Sequence, residues 1–197
     1  MGKLKTIYLA LLNNEEKIVK KNEILKLIEN YNKKFKKVSV KNALWYLSRH
    51  NYIKRIFLEY YYINSIDERA REICNYEDRE LLFVALNKSS IRWYLGLSSA
   101  LYTLGEIWQI PNILTIINNK ISGKRMILGM KVNFIKIKNE LIFGLLSNKT
   151  ENNIKYFHSD KQKTSLDFAY LTGKKITKDK KTKRYIKKYP KWLQKLT

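Results

Sequence analysis

The order of apolar patterns in the first 63 residues constrains the fold more than any other feature of this sequence. Apolar side chains recur at helical spacing over residues 4–12, 22–31 and 40–50. Two runs rich in aromatic and β-branched residues follow, at 52–57 and 59–63, and these predict a pair of short strands. Three helices followed by a hairpin is the order of a winged helix-turn-helix. We therefore predict such a domain over residues 1–64.

The third predicted helix carries the candidate binding residues, because this helix enters the major groove in DNA-binding winged helices while the hairpin lies along the backbone. Lys41 and Arg49 suit phosphates or guanine edges, and Asn42 suits bidentate recognition of adenine. At the hairpin, Lys54 and Arg55 are expected to contact phosphates. The full set of expected outward positions on the third helix is Ser39, Lys41, Asn42, Trp45, Tyr46, Ser48 and Arg49.

Each of these positions also has a purely structural interpretation. Trp45 and Tyr46 are both bulky, and one of the two is expected to pack in the core. Lys41 and Arg49 are alternatively solvated surface cations. Polar residues before the second and third helices, Asn22 and Ser39, are predicted as their N-caps.

The net charge of +23 is concentrated at the two ends of the chain. Residues 1–63 carry 14 basic and 5 acidic residues, and residues 173–197 carry 11 and 1, whereas residues 64–172 carry 15 and 11. Like charges oppose folding, so a partner that neutralises them is expected. Counterion release from a polyanion rewards basic ends of this kind. A compositional bias toward lysine codons is the alternative explanation.

The middle of the chain alternates helix and strand patterns. Helices are predicted over much of 67–86, over a stretch that Ser98 or Ser99 caps and Gly105 ends, and over 161–171. Strands are predicted at 113–118, 131–138, 141–146 and 154–157. The prediction is thus an α+β protein: a winged helix-turn-helix, a mixed α/β body with an antiparallel-rich sheet over 65–172, and a basic, partly helical tail over 173–197.

Three segments of the body, WYLGLSSALYTLG, GMKVNFIKIKNELIFG and HSDKQKTSLDFAY, carry a family resemblance. With them the chain resembles the AbiEi-type antitoxins and transcriptional regulators of type IV toxin–antitoxin, or abortive-infection, operons, over roughly residues 5–172. The resemblance implies an N-terminal winged helix that represses the protein's own operon. It also implies a nucleotidyltransferase-like toxin as a partner of the body. The last 25 residues are a basic extension outside the resemblance.

Motifs for catalysis are sparse. Asp160 and Asp167 flank two lysines and suggest a metal-dependent nuclease as one alternative. Asp160 is better interpreted as an N-cap, and Asp167 as an anchor for a basic partner. His158 is expected to pack or hydrogen-bond. We expect no enzyme activity, cofactor or metal site, and the single cysteine, Cys74, fits a reducing cytoplasm.

The tail alternates lysines with apolar residues at near-helical spacing, interrupted by Pro190. We expect it to dock on the body and to contact nucleic acid, with disorder or contact with an anionic membrane as alternatives. No membrane span or signal peptide is expected. The function predicted from the sequence is a cytoplasmic, DNA-binding, autorepressing antitoxin, either a monomer or a weak dimer. A stand-alone nucleic-acid-binding protein without a toxin is the main alternative.

Overall fold

The computed structural model describes residues 3–34, 39–173 and 180–196, which form a mixed α+β fold of two units, residues 1–85 and 86–197. In unit 1 the elements are α1 (Lys3–Leu12), β1 (Ile18–Lys20), α2 (Lys21–Lys34), α3 (Val40–Arg49), β2 (Ile53–Phe57), β3 (Tyr60–Ile63), α4 (Ile66–Arg71) and α5 (Asp78–Lys88), whose last three residues belong to unit 2. The elements that follow are β4 (Trp93–Leu95), α6 (Leu97–Thr103), β5 (Leu114–Asn118), β6 (Gly123–Ile127), β7 (Met130–Lys136), β8 (Leu145–Lys149), β9 (Lys155–Ser159), α7 (Lys161–Thr172), α8 (Lys180–Ile186) and α9 (Lys191–Leu196).

In unit 1 the helices α1, α2 and α3 pack on one another, and the three strands form an antiparallel sheet of order β1-β3-β2. The sequence produces these helices because each has an apolar stripe that meets the others, as in Leu11, Ile28 and Leu47, all fully buried in one cluster. The hairpin strands β2 and β3 place Ile53 and Ile63 opposite each other in the same core. The predicted helices and hairpin of residues 4–63 are therefore confirmed as elements.

Unit 2 is built on a six-stranded mixed sheet of order β6-β7-β5-β4-β9-β8. Three of its pairings are antiparallel, and the β5–β7 and β4–β9 pairings are parallel. Helix α7 packs on α6, β9 and α8. Buried residues of the sheet and of α7 form one core, which includes Tyr94, Ile117 and Leu166.

Several element predictions are wrong in detail. The predicted strand at 141–146 is instead a 3-10 turn, Asn139–Leu141, followed by β8. The predicted helical region 67–86 is two helices, α4 and α5, and the strands β1 and β6 were not predicted. Helix α2 begins at Lys21, so Asn22 lies inside it and is not its N-cap.

The first of the three segments quoted above, residues 93–105, folds into β4 and α6. The predicted serine caps are wrong, because Gly96 is the N-cap residue and Ser99 lies inside α6, where its hydroxyl accepts a hydrogen bond from the backbone N–H of Thr115. A Cβ on Gly96 would lie 2.3 Å from Cδ1 of Ile117, so this glycine permits close packing of the helix start against β5. Gly105 ends the helix in the left-handed conformation, with φ of +72°, as predicted.

The described part of the tail is helical and docked. Tyr189 and Leu193 are buried in the core of unit 2, with 3% and 0% of their surface exposed. Helix α8 ends before Pro190 and α9 begins directly after it, as the position of the proline predicts. Residues 174–179 lie outside the described residues. In the part of the chain that the structure describes, no helix is both long and apolar enough to cross a membrane.

Candidate nucleic-acid interface

Helix α3 has one face in the core of unit 1 and one face in solvent. Ala43 and Leu47 are fully buried. Asn42, Trp45 and Arg49 are exposed and are spaced three and four residues apart, so they lie on a single outward face. We call these three residues the α3 face.

Two side chains of the α3 face are in contact with each other. Trp45 is 60% exposed, which is unusual for so large an apolar side chain. The guanidinium of Arg49 lies over its ring, with 5.2 Å between the guanidinium carbon and the ring centroid. A cation–π contact of this kind limits the positions that both side chains adopt.

Tyr46 belongs to the scaffold behind this face. Its ring lies 4.1 Å from that of His50 and stacks at 6.3 Å on that of Tyr52, and the side chain is half-buried. Of the two bulky neighbours Trp45 and Tyr46, the structure exposes Trp45 and packs Tyr46. Direct contact of Tyr46 with a ligand is therefore limited to its exposed edge.

The N-terminal end of α3 holds the remaining predicted positions on this helix. Ser39 is exposed and occupies the N-cap position, but its side chain makes no capping hydrogen bond. The prediction that its hydroxyl caps the helix is therefore wrong. The side chain of Lys41 lies outside the described residues. Ser48, another predicted outward position, is partly buried.

The β2–β3 hairpin carries the two predicted phosphate contacts, Lys54 and Arg55. Among the described residues, Lys54 has an acidic partner and Arg55 has none. Arg55 is exposed, and its Nη2 donates to the carbonyl oxygen of Leu58 at 3.4 Å, which braces the turn. Lys54 forms an ion pair with Asp78, with Nζ 2.7 Å from Oδ1. Both side chains are more than a third exposed, so this pair contributes only about 0–1 kcal/mol and a phosphate could replace Asp78.

A third basic position beside the hairpin was not predicted. Lys20 is exposed at the end of β1 and pairs with Tyr60 of β3, whose ring centroid lies 5.8 Å from the Lys20 Nζ. The backbone N–H of the next residue, Lys21, donates to the carbonyl of Glu59 in the hairpin turn at 2.7 Å. Strand β1 is three residues long, too short for an alternation pattern to identify it from the sequence.

Helix α4 contacts the segment at the C-terminal end of α3. The guanidinium of Arg69 lies 3.8 Å from the Tyr52 ring centroid, and its Nη2 donates to the carbonyl of His50 at 3.3 Å. The neighbouring Glu68 forms a capping box with Ser65 and accepts a hydrogen bond of 2.6 Å from the Tyr62 hydroxyl. These contacts hold the C-terminal end of α3 in one orientation.

Burial acts to raise the pKa of Glu68, but hydrogen bonds outweigh it and hold the pKa below its ordinary value. The donors are the Tyr62 hydroxyl and the backbone N–H groups of Asn75 and Ser65. Glu68 is therefore ionised near neutral pH and belongs to the scaffold rather than to the exposed surface. Burial and the same carboxylate raise the pKa of Tyr62.

In unit 2 the predicted carboxylate Asp167 lies in a buried cluster rather than in a cleft. Lys163, one turn earlier on α7, pairs with it, and both side chains are almost completely buried. The hydroxyls of Tyr94 and Tyr189 donate to Asp167 at 2.8 and 2.7 Å and accept from Lys163 at 2.9 and 2.8 Å. We call these four residues the buried cluster. The expected basic partner of Asp167 is thus Lys163 of the same helix.

Burial dominates the titration of the buried cluster. It lowers the pKa of Lys163 and raises that of Asp167, while their mutual attraction acts in the opposite direction on each. Burial and the Asp167 carboxylate also raise the pKa of both tyrosines. The two hydroxyls therefore remain protonated donors across the physiological range.

Asp160 is the N-cap of α7, as predicted. It accepts from the backbone N–H of Lys163 at 2.8 Å, and from the tail it accepts from the Tyr185 hydroxyl and the Lys181 Nζ, both at 2.9 Å. His158 is buried, and its Nδ1 lies 3.2 Å from the carbonyl of Ser159. Among the described residues, no group of three or more His, Cys, Asp or Glu side chains is placed to hold a metal ion. The two aspartates thus serve helix capping, packing and attachment of the tail.

Comparison with known proteins adds nothing to this picture, since no protein-family model and no curated protein matches the chain. The resemblance to AbiEi-type regulators therefore stays a prediction based on the three quoted segments. Those segments form β4 with α6, the β7 region from 129 to 144, and the end of β9 with most of α7. They contribute β4, β7 and part of β9 to the sheet of unit 2, and Tyr94, Lys163 and Asp167 to the buried cluster.

Proposed function

We propose that unit 1 is a winged helix-turn-helix that binds duplex DNA, with α3 in the major groove and the β2–β3 hairpin along the backbone. The α3 face is the observation that carries this proposal, because an exposed Asn, Trp and Arg on one side of a well-anchored helix match what base readout requires. The order α1-β1-α2-α3-β2-β3 and the sheet order β1-β3-β2 support it, being those of a winged helix.

The residues of this surface have distinct proposed roles. Asn42 donates to and accepts from an adenine edge, and Arg49 donates to guanine or to a phosphate. Trp45 supplies apolar contact with a thymine methyl and orients Arg49 through the cation–π contact. Arg55 and Lys20 contact phosphates beside the hairpin and set the position of the protein on the duplex.

In cellular terms we propose a transcription regulator that represses its own operon, with unit 2 as an antitoxin-like body that counters a nucleotidyltransferase-like toxin. The antitoxin role is supported by the resemblance of the three quoted segments. Co-expression with the product of the adjacent gene tests that role: rescue of growth by the full chain supports it, and toxicity unaffected by the chain contradicts it.

A gel-shift experiment tests the DNA-binding role. It compares the sequence upstream of the gene with a shuffled duplex, for the wild-type chain and for Asn42→Ala and Arg49→Ala. We expect a clear preference for the upstream sequence, reduced in each variant by the roughly 1–3 kcal/mol that one bidentate base contact contributes.

Matched controls come from the exposed face of α2. Asn30→Ala and Lys26→Ala remove an amide and a positive charge at exposed positions of the neighbouring helix. We expect both to leave the ratio of the two affinities unchanged, even where Lys26→Ala weakens binding to both duplexes. Equal affinity of the wild-type chain for the two duplexes would contradict the regulator role.

A further inference from the structure

The tail packs on the rest of unit 2 and there has one apolar side and one cationic side. The apolar side is buried: Thr182, Tyr189 and Leu193 have between 0% and 3% of their surface exposed. Helices of seven and six residues are too short to be stable alone in water, so their conformation depends on this docking. The contacts with Asp160 and the buried cluster hold the tail in place.

In the described part of the tail, residues 180–196, every charged side chain is basic. Residues 180–196 include eight Lys and Arg and no Asp or Glu. Two of the eight are used against unit 2: Lys181 pairs with Asp160, and the Nζ of Lys188 lies 4.4 Å from the centroid of the Phe143 ring. The other six are exposed, and we call them the tail face: Lys180, Lys183, Arg184, Lys187, Lys191 and Lys195.

The tail face is spread over both tail helices and the turn between them. Lys183 and Arg184 lie three and four residues after Lys180 on α8, and Lys187 follows directly after the end of that helix. Lys191 and Lys195 are four residues apart on α9. Within the part of the chain that the structure describes, no carboxylate pairs with any of the six. Their mutual repulsion therefore has no internal compensation.

We propose that the tail face binds the phosphate backbone of duplex DNA without reading its sequence. A row of cations fixed by a folded body displaces condensed counterions from a duplex and gives salt-dependent, sequence-independent affinity. The proposal rests on the proposed function only in taking duplex DNA as the polyanion. It assigns base readout to the α3 face and a large share of the salt dependence to the tail face.

The alternative polyanion, an anionic membrane, fits the structure less well. Helices that lie in a membrane interface insert an apolar side among the lipids. Here that side is already in the core of unit 2, and the exposed edge of Trp192 belongs to a ring stacked on Tyr170 with 5.8 Å between centroids. The surface left over is cationic, which suits a backbone of phosphates more than a lipid layer.

The experiment uses the full chain and a random-sequence duplex, with binding followed by fluorescence anisotropy between 50 and 200 mM salt. The tail variant is Lys183→Gln/Lys187→Gln/Lys191→Gln. A matched control, Lys124→Gln/Lys131→Gln/Lys149→Gln, removes the same charge from exposed lysines on strands of unit 2. Each phosphate contact contributes about 0.9 to the slope of log affinity against log salt, so loss of three contacts lowers the slope by about 2.7.

We expect the tail variant to lower the slope by two to three and the control variant to lower it by less than one. An equal change in the two variants overturns the proposal. If the tail variant does not fold, protection of lysines from acetylation in the wild-type chain gives a second measurement. DNA should then protect Lys183, Lys187 and Lys191 more than Lys124, Lys131 and Lys149, and equal protection also overturns the proposal.

Two further outcomes separate this inference from its alternatives. If the tail variant binds the duplex as the wild type does but no longer binds vesicles that contain anionic lipid, the membrane is the partner and the inference is wrong. Asn42→Ala and Arg49→Ala are expected to change the preference between duplexes and not the tail-dependent slope. If those two variants have no effect while the tail variant does, the proposed role of α3 fails and the role of the tail face stands.

Discussion

Replacing Lys163 by methionine tests the account of unit 2 most directly. Methionine is an unbranched side chain one atom shorter than lysine and has no charge, so the Asp167 carboxylate is left buried without a cation. Breaking a buried ion pair in this way costs about 3–5 kcal/mol. The hydroxyls of Tyr94 and Tyr189 still donate to Asp167, so we expect the lower end, about 3 kcal/mol. For a domain whose total stability is about 5–15 kcal/mol, this is a large fraction.

The measurement is urea unfolding of the full chain, followed by circular dichroism. A second variant, Lys163→Met/Asp167→Asn, removes both charges and keeps an oxygen that accepts from the tyrosines. We expect it to be more stable than Lys163→Met, because no uncompensated charge remains. The control is Lys161→Met, two residues earlier on α7, whose ion pair with Glu106 is exposed and contributes about 0–1 kcal/mol.

Attachment of the tail gives an independent readout of the same change. Tyr189 and the tail lose one of their contacts with α7 when Lys163 is replaced. We expect trypsin to cleave between residues 180 and 196 faster in Lys163→Met than in the wild type under native conditions, since local opening costs less. Three results together would refute the buried cluster as the anchor of the tail. The free energy of unfolding of Lys163→Met would lie within 1 kcal/mol of the wild-type value, the double variant would show no coupling to Asp167, and trypsin cleavage would be unchanged.

Three other outcomes are expected. Glu68→Gln should lower the free energy of unfolding of unit 1 by about 1–3 kcal/mol at pH 7, because hydrogen bonds to the carboxylate are lost. The folded-state pKa of Glu68 is lowered, with Tyr62 among the donors, so the contribution of the carboxylate is present above about pH 4.3 and is lost as the pH falls. Urea unfolding should therefore show a smaller difference between the variant and the wild type at pH 3 than at pH 7. Gly96→Ala should cost about 1–3 kcal/mol because the new Cβ meets Ile117, and Ile117→Val, which removes the nearest atom, should recover part of that loss in the double variant. Trp45→Ala should change the free energy of unfolding by less than about 0.5 kcal/mol, since the side chain is exposed. The same variant should bind the upstream DNA more weakly in the gel shift. Undiminished binding would show that Trp45 does not contact DNA.

The elements of unit 1 were predictable where the sequence carries a periodic pattern. Helices α1, α2 and α3 each follow a 3.6-residue repeat, and the hairpin strands are rich in tyrosine and isoleucine. Strands β1 and β6 were missed for physical reasons. The first is three residues long, and the second, Gly123–Ile127, has four exposed residues and exists because it pairs with β7. Pairing of this kind depends on a partner strand and leaves no local pattern.

The candidate site was predictable to a different extent in each unit. An exposed face on α3 follows from helical geometry once the buried face is known, so Asn42 and Arg49 could be placed from the sequence alone. The sequence contains no sign that Lys54 pairs with Asp78, a residue 24 positions away. The buried cluster was less accessible still, because a Lys and an Asp four residues apart on a helix are typical of a solvated surface.

The structure explains how the chain tolerates eight basic residues within residues 180–196. Tyr189 and Leu193 contribute apolar burial to the core of unit 2, and the Tyr189 hydroxyl adds hydrogen bonds. These contacts offset the repulsion among the cations of the tail face. In the free protein, added salt screens that repulsion and favours the docked tail. In the proposed complex with DNA, the same salt is expected to weaken the phosphate contacts. The two effects have opposite signs, so salt should raise the stability of the free chain while it reduces the additional stability that duplex DNA provides. A chain whose stability falls with added salt in the absence of DNA would show that the cations of the tail are already neutralised within the protein, and the tail face would have no charge left to bind a duplex.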